Sequence, residues 1–189
     1  TGDKTPWIWD PETGERYIYP YKDQKNQLDI ELEPAGSKLI VFDKESNGKT
    51  FPVKKVDLAS AKKLEGPWDI RLNHVDGSRK RKTLDKLMDF KDRSELKSFA
   101  GTAIYNKTVK LGSNSSYAYL DLGEVYGISE LLVNGNKVGV NWYGNHLYEI
   151  QDFLKEGSNK IQIKIITVLG NYCKSLEDNE ICQRWTKNQ

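Results

Sequence analysis

The segment Lys160–Val168, KIQIKIITV, alternates isoleucine with lysine or glutamine for most of its length. Successive side chains of a β-strand point to opposite faces of its sheet, so this period places Ile161, Ile163 and Ile165 on one face. The opposite face carries lysine and glutamine. The segment is therefore predicted to be a half-buried strand, and it is the clearest strand in the sequence.

Shorter strand patterns recur along the chain. The predicted strands are Gln27–Glu33, Lys38–Asp43, Trp68–Leu72, Thr102–Leu111, Tyr117–Leu122 and Ile128–Val133. Turn residues stand between them: Pro34–Ser37 is expected to join the first two, and Asn134-Gly135-Asn136 to open a hairpin after the last. Helical signal is limited to the connectors Thr83–Lys91 and Ile150–Lys155. Strands so spaced, with few helices, predict an all-β fold: an antiparallel β-sandwich with a small N-terminal β segment.

The composition changes once along the chain. A lysine-rich stretch that follows Asn47-Gly48 separates the N-terminal strand pair from the longer array of strands. We therefore predict residues 1–62 to be an N-terminal β segment, the tail of a preceding β domain, with its linker. Residues 63–189 are predicted to be the sandwich. The chain begins with Thr1 rather than Met, and we expect it to be a piece of a longer protein.

Charge and hydropathy exclude some classes of function. The net charge is only +2, whereas a domain whose main role is to bind polyanions usually carries a strong positive charge. Polyanion binding is therefore not expected to be the main role of the chain, and no nucleic-acid partner is predicted. The basic run Arg79–Lys82 is interpreted as a solvated loop, because Asp76, Asp85 and Asp89 offset its charge. No stretch approaches the ~18 apolar residues that a membrane-spanning helix needs, so no membrane span is predicted.

The sequence contains no catalytic motif. It has neither a GxSxG nucleophile elbow nor a glycine-rich phosphate loop. Paired acids, which a glycosidase needs, occur in charged stretches where exposure to solvent explains them better. These acids are Asp85 with Asp89, and Glu177 with Asp178 and Glu180. No catalytic residue is therefore predicted.

Metal and disulfide sites leave little trace. Cys173 and Cys182 lack the CxxC spacing of a structural zinc site, and no cofactor is predicted. A structural calcium ion held by loop carboxylates such as Asp121 and Glu124 stays open, beside the alternative of solvated turn carboxylates. The two cysteines would pair in an oxidising compartment and stay reduced in the cytosol, so a Cys173–Cys182 disulfide also stays open.

One aromatic segment stands out after the predicted hairpin. Sugars present apolar C–H faces rimmed by hydroxyls, so a site for them needs an aromatic surface beside polar side chains. The candidate carbohydrate-binding residues are Asn141, Trp142, Tyr143, Asn145 and His146. The alternative is that the Trp and the Tyr pack at the edge of the core or between domains. The other four tryptophans, Trp7, Trp9, Trp68 and Trp185, are expected to be packing residues.

Five short motifs follow one another in the second part of the chain. They are W-x-I at 68–70, F-x-G-T-A-x-Y at 99–105, L-D-L-G-E-V at 120–125, V-N-G-x-x-V-G at 133–139 and I-x-D-x-L-x-x-G-x-N at 150–159. Their order resembles the sugar-binding-like jelly roll of family 2 glycoside hydrolases. It resembles even more the C-terminal β-sandwich of family 106 α-L-rhamnosidase-like proteins. The sequence departs from the family pattern at Tyr143–His146 and in the tail Gly170–Trp185.

That resemblance implies a galactose-binding-like jelly roll and a non-catalytic role in an extracytoplasmic (periplasmic, secreted or cell-surface) system that degrades polysaccharides. The implied partners are carbohydrate and the catalytic domain of the same parent chain. Such modules either bind glycan or brace the catalytic domain. The alternatives are therefore a structural interdomain brace and a protein-binding β-sandwich without a sugar ligand.

Overall fold

The computed structural model describes residues 4–21, 27–52, 56, 61–113 and 119–186. The chain divides into two compact units, Thr1–Ala61 and Lys62–Gln189.

The first unit contains a three-stranded antiparallel sheet. Its strands are β1 (Thr5–Trp9), β2 (Arg16–Ile18) and β3 (Leu39–Asp43), in the order β2-β1-β3. Trp7 is 2% exposed in the central strand, and its indole Nε1 donates a hydrogen bond to the Glu45 carbonyl oxygen at 2.9 Å. Because a buried indole N–H needs an acceptor, this bond allows Trp7 to be the core residue of the unit.

The predicted strand Gln27–Glu33 is wrong. Residues 28–33 form no strand, and β3 pairs with β1 instead of with this segment. Ile30 and Leu32, the apolar side of the alternating pattern, are 49% and 57% exposed. The period of two is present in the sequence, but in the described part of this unit no second layer covers these side chains, so the pattern has no core to face. The turn at Pro34 is confirmed.

The described residues of the second unit form eight strands and two short helices. The strands are β4 (Trp68–His74), β5 (Arg79–Leu84), β6 (Gly101–Leu111), β7 (Tyr119–Asp121), β8 (Gly127–Val133), β9 (Asn136–Asn141), β10 (Leu147–Glu149) and β11 (Gly157–Thr167). The helices are α1 (Gly170–Ser175) and α2 (Glu180–Thr186). Single 3-10 turns lie at Phe90–Asp92 and Gln151–Phe153.

Two antiparallel sheets form the layers of this unit. Six strands lie in the order β5-β4-β6-β11-β8-β9, and β7 pairs with β10 in a separate two-stranded sheet. The core lies on one face of the large sheet, where alternate residues of four strands are buried. The buried cluster consists of Trp68, Ile70, Leu72, Leu96, Phe99, Ala103, Leu131, Val133, Tyr148, Ile150, Ile161 and Ile163. The all-β, antiparallel sandwich predicted from the sequence is confirmed.

The central strands match the predictions closely, whereas the edges and the tail do not. The basic run Arg79–Lys82, interpreted above as a loop, lies in β5, and Thr83 and Leu84 belong to the same strand rather than to a helix. The tail from Gly170, which shows no clear period in the sequence, forms α1 and α2. Of the strand predicted at Tyr117–Leu122, residues 117 and 118 lie outside the described residues.

Two asparagines from separate motifs clamp the β8–β9 hairpin to the start of β11. Asn134 and Gly135 have φ angles of 54° and 85°, the left-handed values that this turn requires. Asn159 is fully buried, and its Oδ1 accepts hydrogen bonds from Asn134 Nδ2 and from the Lys155 backbone N–H, both at 2.9 Å. Its Nδ2 donates to the Lys155 carbonyl at 2.6 Å. The Asn159 amide therefore satisfies both backbone groups of Lys155, in the connection that leads into β11.

Among the described residues, no helix is long and apolar enough to span a membrane.

Candidate functional site

The candidate loop leaves the sheet at the end of β9 and returns in β10. Asn141 is the last residue of β9, and its Nδ2 donates to the Asn145 carbonyl oxygen at 3.3 Å. The Leu147 N–H donates to the same carbonyl at 2.8 Å. Gly144, with a φ of 70°, supplies the left-handed backbone that reverses the chain. The loop is thus a short turn closed across its base by hydrogen bonds.

The aromatic residues of this loop lie at its tip. Trp142 is 64% exposed and Tyr143 is 40% exposed. Their ring centroids are 4.7 Å apart and the ring planes meet at 74°, so the two rings form an edge-to-face corner. The structure does not pack Trp142 into the core of its unit, so only the second part of the alternative, packing between domains, stays open.

His146 has a different position from the other predicted site residues. It is 4% exposed, and its Nδ1 lies 2.5 Å from the Ser129 Oγ. Ser129 Oγ in turn lies 2.6 Å from the Tyr148 hydroxyl, which donates to the Ser129 carbonyl oxygen at 2.9 Å. These three residues tie the loop base to β8 in the large sheet and to β10 in the small one. The imidazole is therefore an anchor beneath the loop rather than part of its exposed surface.

The number of hydrogens in this cluster fixes the roles of its members. Three short contacts need three donors. One arrangement supplies them: His146 Nδ1–H donates to Ser129 Oγ, Ser129 donates to the Tyr148 hydroxyl, and Tyr148 donates to the backbone carbonyl. In this arrangement a neutral imidazole carries its hydrogen on Nδ1. A directional chain of this kind holds the loop base in one geometry.

Burial sets the protonation of both titratable members. Loss of hydration lowers the pKa of His146 below its usual 6.5, because the charged imidazolium is disfavoured away from water. Burial raises the pKa of Tyr148, and the hydrogen bond with Ser129 opposes that shift in part. Near neutral pH the cluster therefore holds no net charge.

The structure brings together four of the five predicted site residues at the surface: Asn141, Trp142, Tyr143 and Asn145. It separates His146 from them. Sequence reasoning missed Ser129 and Tyr148, which hold the loop from below. The alternating pattern of β8 could have indicated Ser129, because this polar residue occupies the same core-facing row as Leu131 and Val133. A polar residue in such a row needs a buried partner.

The other candidate groups are placed as follows. Asp121 Oδ1 accepts from the Gly123 N–H at 2.8 Å, and Glu124 accepts from the Tyr126 hydroxyl at 3.2 Å. Across the described part of the chain, no group of three or more His, Cys, Asp or Glu side chains could hold a metal ion. Of the tryptophans expected to pack, Trp7 and Trp68 are buried, whereas Trp9 and Trp185 are 40% and 74% exposed.

The two cysteines lie side by side in the helical tail. Both are free thiols, Cys173 in α1 and Cys182 in α2. Burial raises the pKa of the Cys182 thiol, and a hydrogen bond and charge interaction with Cys173 raise it further. The disulfide that the sequence left open is therefore not formed in this structure, and pairing in an oxidising compartment stays an open alternative.

Comparison with known proteins relates the chain to glycoside hydrolases. No protein-family model matches it. It is 30% identical to a putative β-glucuronidase of Formosa agariphila over 114 residues, which are 57% of this chain and 10% of that protein. The solved rhamnosidase from Novosphingobium sp. PP1Y has a TM-score of 0.62 and 20% identity, over 95% of this chain and 18% of the enzyme. A β-glucuronidase from Bifidobacterium dentium matches 55% of this chain and 19% of its own, with 15% identity and a TM-score of 0.43.

These matches concern a small part of each relative. The chain spans a tenth of the curated relative and less than a fifth of the rhamnosidase. The rhamnosidase match, at 20% identity, shows that the fold is shared. The chain is therefore similar to one section of large glycoside hydrolases.

Proposed function

We propose that the chain is a non-catalytic, carbohydrate-binding accessory domain of a larger glycoside hydrolase that acts outside the cytoplasm. The observation that carries this proposal is the exposed Trp142–Tyr143 corner, held on a buried hydrogen-bonded base. Trp142 and Tyr143 together form an exposed apolar surface, and an apolar patch rimmed by polar residues is typical of a binding site. A pyranose has apolar C–H faces that suit such a corner.

The polar side chains around the corner suit the rim of a sugar. Asn141 and Asn145 flank the aromatic pair in the chain and carry amide groups that both donate and accept hydrogen bonds. Hydroxyl groups need that double capacity. Recognition would therefore combine contact between the rings and a sugar face with amide hydrogen bonds at its edge.

The carboxylates support a non-catalytic role. A glycosidase acid must hold its proton near neutral pH, which requires a raised pKa. Among the described residues, each Asp or Glu with a shifted pKa has it lowered, chiefly by hydrogen bonds; these are Asp10, Asp76, Asp89, Glu95 and Glu130. They are suited to staying ionised rather than to donating a proton to a leaving group.

Substitution of Trp142 tests the proposal. We expect calorimetric titration of the 189-residue chain with a panel of neutral oligosaccharides to give a dissociation constant of about 10 μM to 1 mM, and Trp142→Ala to weaken it about 10-fold or more. Trp185→Ala is the matched control, because Trp185 is also exposed but lies in α2. Equal affinities of the Trp142 variant and the parent chain would refute the loop as the site.

A second function, bracing of a catalytic domain, is favoured by a different observation. Ile181 and Trp185 lie four residues apart in α2, on one side of the helix, and are 69% and 74% exposed. Val168 and Leu169, just before α1, are 68% and 52% exposed. A domain-docking role predicts that Ile181→Ser and Trp185→Ser weaken association with the separately produced catalytic domain and leave glycan binding unchanged.

A further inference from the structure

Three arginines lie together on the outer face of the six-stranded sheet. Arg71 in β4 faces away from the core, since its neighbours Ile70 and Leu72 are buried. Arg81 of β5 is directly opposite Arg71, and Arg79 follows two residues away on the same face of that strand. The three side chains are exposed, and no hydrogen bond or ion pair joins any of them to another described residue. We call Arg71, Arg79 and Arg81 the arginine face.

This arrangement is unfavourable for the isolated chain. Like charges directly opposite each other on neighbouring strands destabilise a sheet. Charged side chains on an edge strand such as β5 are explained by protection against edge-to-edge pairing. Arg71 has no such explanation, because β4 lies between β5 and β6. An anion bound between Arg71 and Arg81 would remove the repulsion.

The nearby acids that the structure describes form no ion pair with the three arginines. Two of the three acids that offset the basic run in the sequence have other partners. Asp76 accepts a hydrogen bond from the Ser78 N–H at 2.7 Å, and Asp89 forms an ion pair with Lys91 at 2.8 Å. On the outer face, Glu130 pairs with Lys164 at 2.7 Å. Asp69, two residues before Arg71, accepts a hydrogen bond from Thr83 at 3.1 Å. A net charge of +2 therefore conceals a local positive cluster.

A shallow depression lies beside the arginine face. It has a volume of about 270 Å³ and is lined by Asp69, Asn106, Lys107, Thr108, Lys160 and Gln162, among others. Gln162 Nε2 donates to Asn106 Oδ1 at 2.8 Å, which orders the two amides. The row of Asp69 is two residues from the row of Arg71 along β4, or about 7 Å. Groups that bind hydroxyls and groups that bind anions are thus adjacent.

We propose that the arginine face and the adjoining depression bind an acidic polysaccharide, one that carries carboxylate or sulfate groups. The Arg71–Arg81 pair would take the anionic group by paired N–H···O bonds, and Asp69, Asn106 and Gln162 would contact the hydroxyls of an adjoining sugar. The named residues of this face include no aromatic side chain, so charge and hydrogen bonds replace stacking here. The inference rests on the proposed carbohydrate role but uses a surface separate from the Trp142 loop.

Affinity electrophoresis and calorimetry of the whole chain test this inference. The probes are polygalacturonate for carboxylates, carrageenan for sulfates, dextran as a neutral glycan and poly-L-glutamate as a carboxylated peptide. We expect one or both acidic glycans to bind, dextran not to bind at this face, and binding to weaken as salt is added. Arg71→Gln and Arg81→Gln should each lower the affinity about 10-fold. Lys80→Gln is the matched control, because it removes one charge from the other face of β5.

Thermal stability separates recognition from a structural role. If the like-charge pair serves only a ligand, Arg71→Gln should leave the melting temperature unchanged or raise it while binding weakens. A fall in melting temperature with unchanged affinity would overturn the proposal. So would binding of poly-L-glutamate as tight as that of the glycans, or an equal loss in Lys80→Gln. Trp142→Ala should retain acidic-glycan binding, so failure of the loop site and failure of this face are distinguishable.

Discussion

The connections at the two ends of β9 are both held by buried side-chain hydrogen bonds, but they expose different side chains. At its start, the Asn134-Gly135 turn is held by the buried amide of Asn159. At its end, the Asn141–His146 loop is held by the buried chain through Ser129 and Tyr148. The first turn exposes the polar side chain of Asn136, and the second exposes a tryptophan and a tyrosine.

This difference is why we propose a role beyond closing the sandwich for the second loop only. Chain reversal needs small or polar residues at a turn, and the Asn134 turn contains nothing more. The second loop carries two large aromatic side chains, Trp142 and Tyr143, and both are exposed to water. It also rests on a titratable imidazole, whereas the Asn159 clamp uses neutral amides only. The loop at the end of β9 therefore differs from the first turn in its exposed aromatic rings and in the titratable residue beneath them.

Asn159→Ala should give the largest loss of stability. Removing the fully buried amide leaves both backbone groups of Lys155 without their partner. It also removes one of the hydrogen bonds that the Asn134 side chain donates. We expect the free energy of unfolding to fall by about 2–4 kcal/mol, measured by urea denaturation. A loss below about 1 kcal/mol would show that the clamp is not what holds the hairpin.

Ser129→Ala should have the next largest effect, at the other end of β9. It removes the central member of the buried chain and leaves His146 Nδ1–H and the Tyr148 hydroxyl with fewer partners. The expected loss of unfolding free energy is about 1–3 kcal/mol. Ser158→Ala, a hydroxyl loss elsewhere in the unit, is the control. Equal effects of the two variants would contradict the anchoring role.

Lowering the pH should destabilise the His146 end of β9 but not the Asn159 end. Because burial lowers the folded-state pKa of His146, the unfolded chain binds a proton more readily below about pH 6.5. The stabilising contribution is thus fully present above that pH and is lost as the pH falls toward the folded-state pKa. Denaturation at about pH 7.5 and about pH 5.5 measures this loss. This loss of unfolding free energy on acidification should persist in Asn159→Ala and become smaller in His146→Gln. An unchanged loss in His146→Gln would exclude this histidine as the source of the pH dependence.

The smallest expected effect on stability is that of Trp142→Ala. An exposed side chain contributes little to folding, so the free energy of unfolding should change by less than about 0.5 kcal/mol. The same substitution should produce the largest loss of neutral-glycan affinity at the loop. Tyr148→Phe is the opposite case, with altered stability and an intact aromatic corner. A destabilised Trp142→Ala variant would indicate that the tryptophan packs in solution.

The sequence predicted the parts of the molecule in which local pattern and burial agree. The alternation in Lys160–Val168 identified β11 because its isoleucine face meets the core. The same alternation in Gln27–Glu33 gave a wrong prediction, because no layer of the described residues covers its apolar side chains. The arginine face could not be predicted, since Arg71 and Arg81 are ten residues apart and meet only through the register of β4 with β5. The role of His146 was hidden for a similar reason: its partners come from two other strands.

The central claim, glycan binding without catalysis, is tested most directly by one combined titration. The whole chain is titrated with an oligosaccharide from the neutral panel in a calorimeter, and the mixture is then assayed for released reducing sugar. We expect a saturable heat of binding that disappears in Trp142→Ala, and no release of reducing sugar above background. Hydrolysis of the bound sugar, or the absence of any binding heat across the panel, would contradict it.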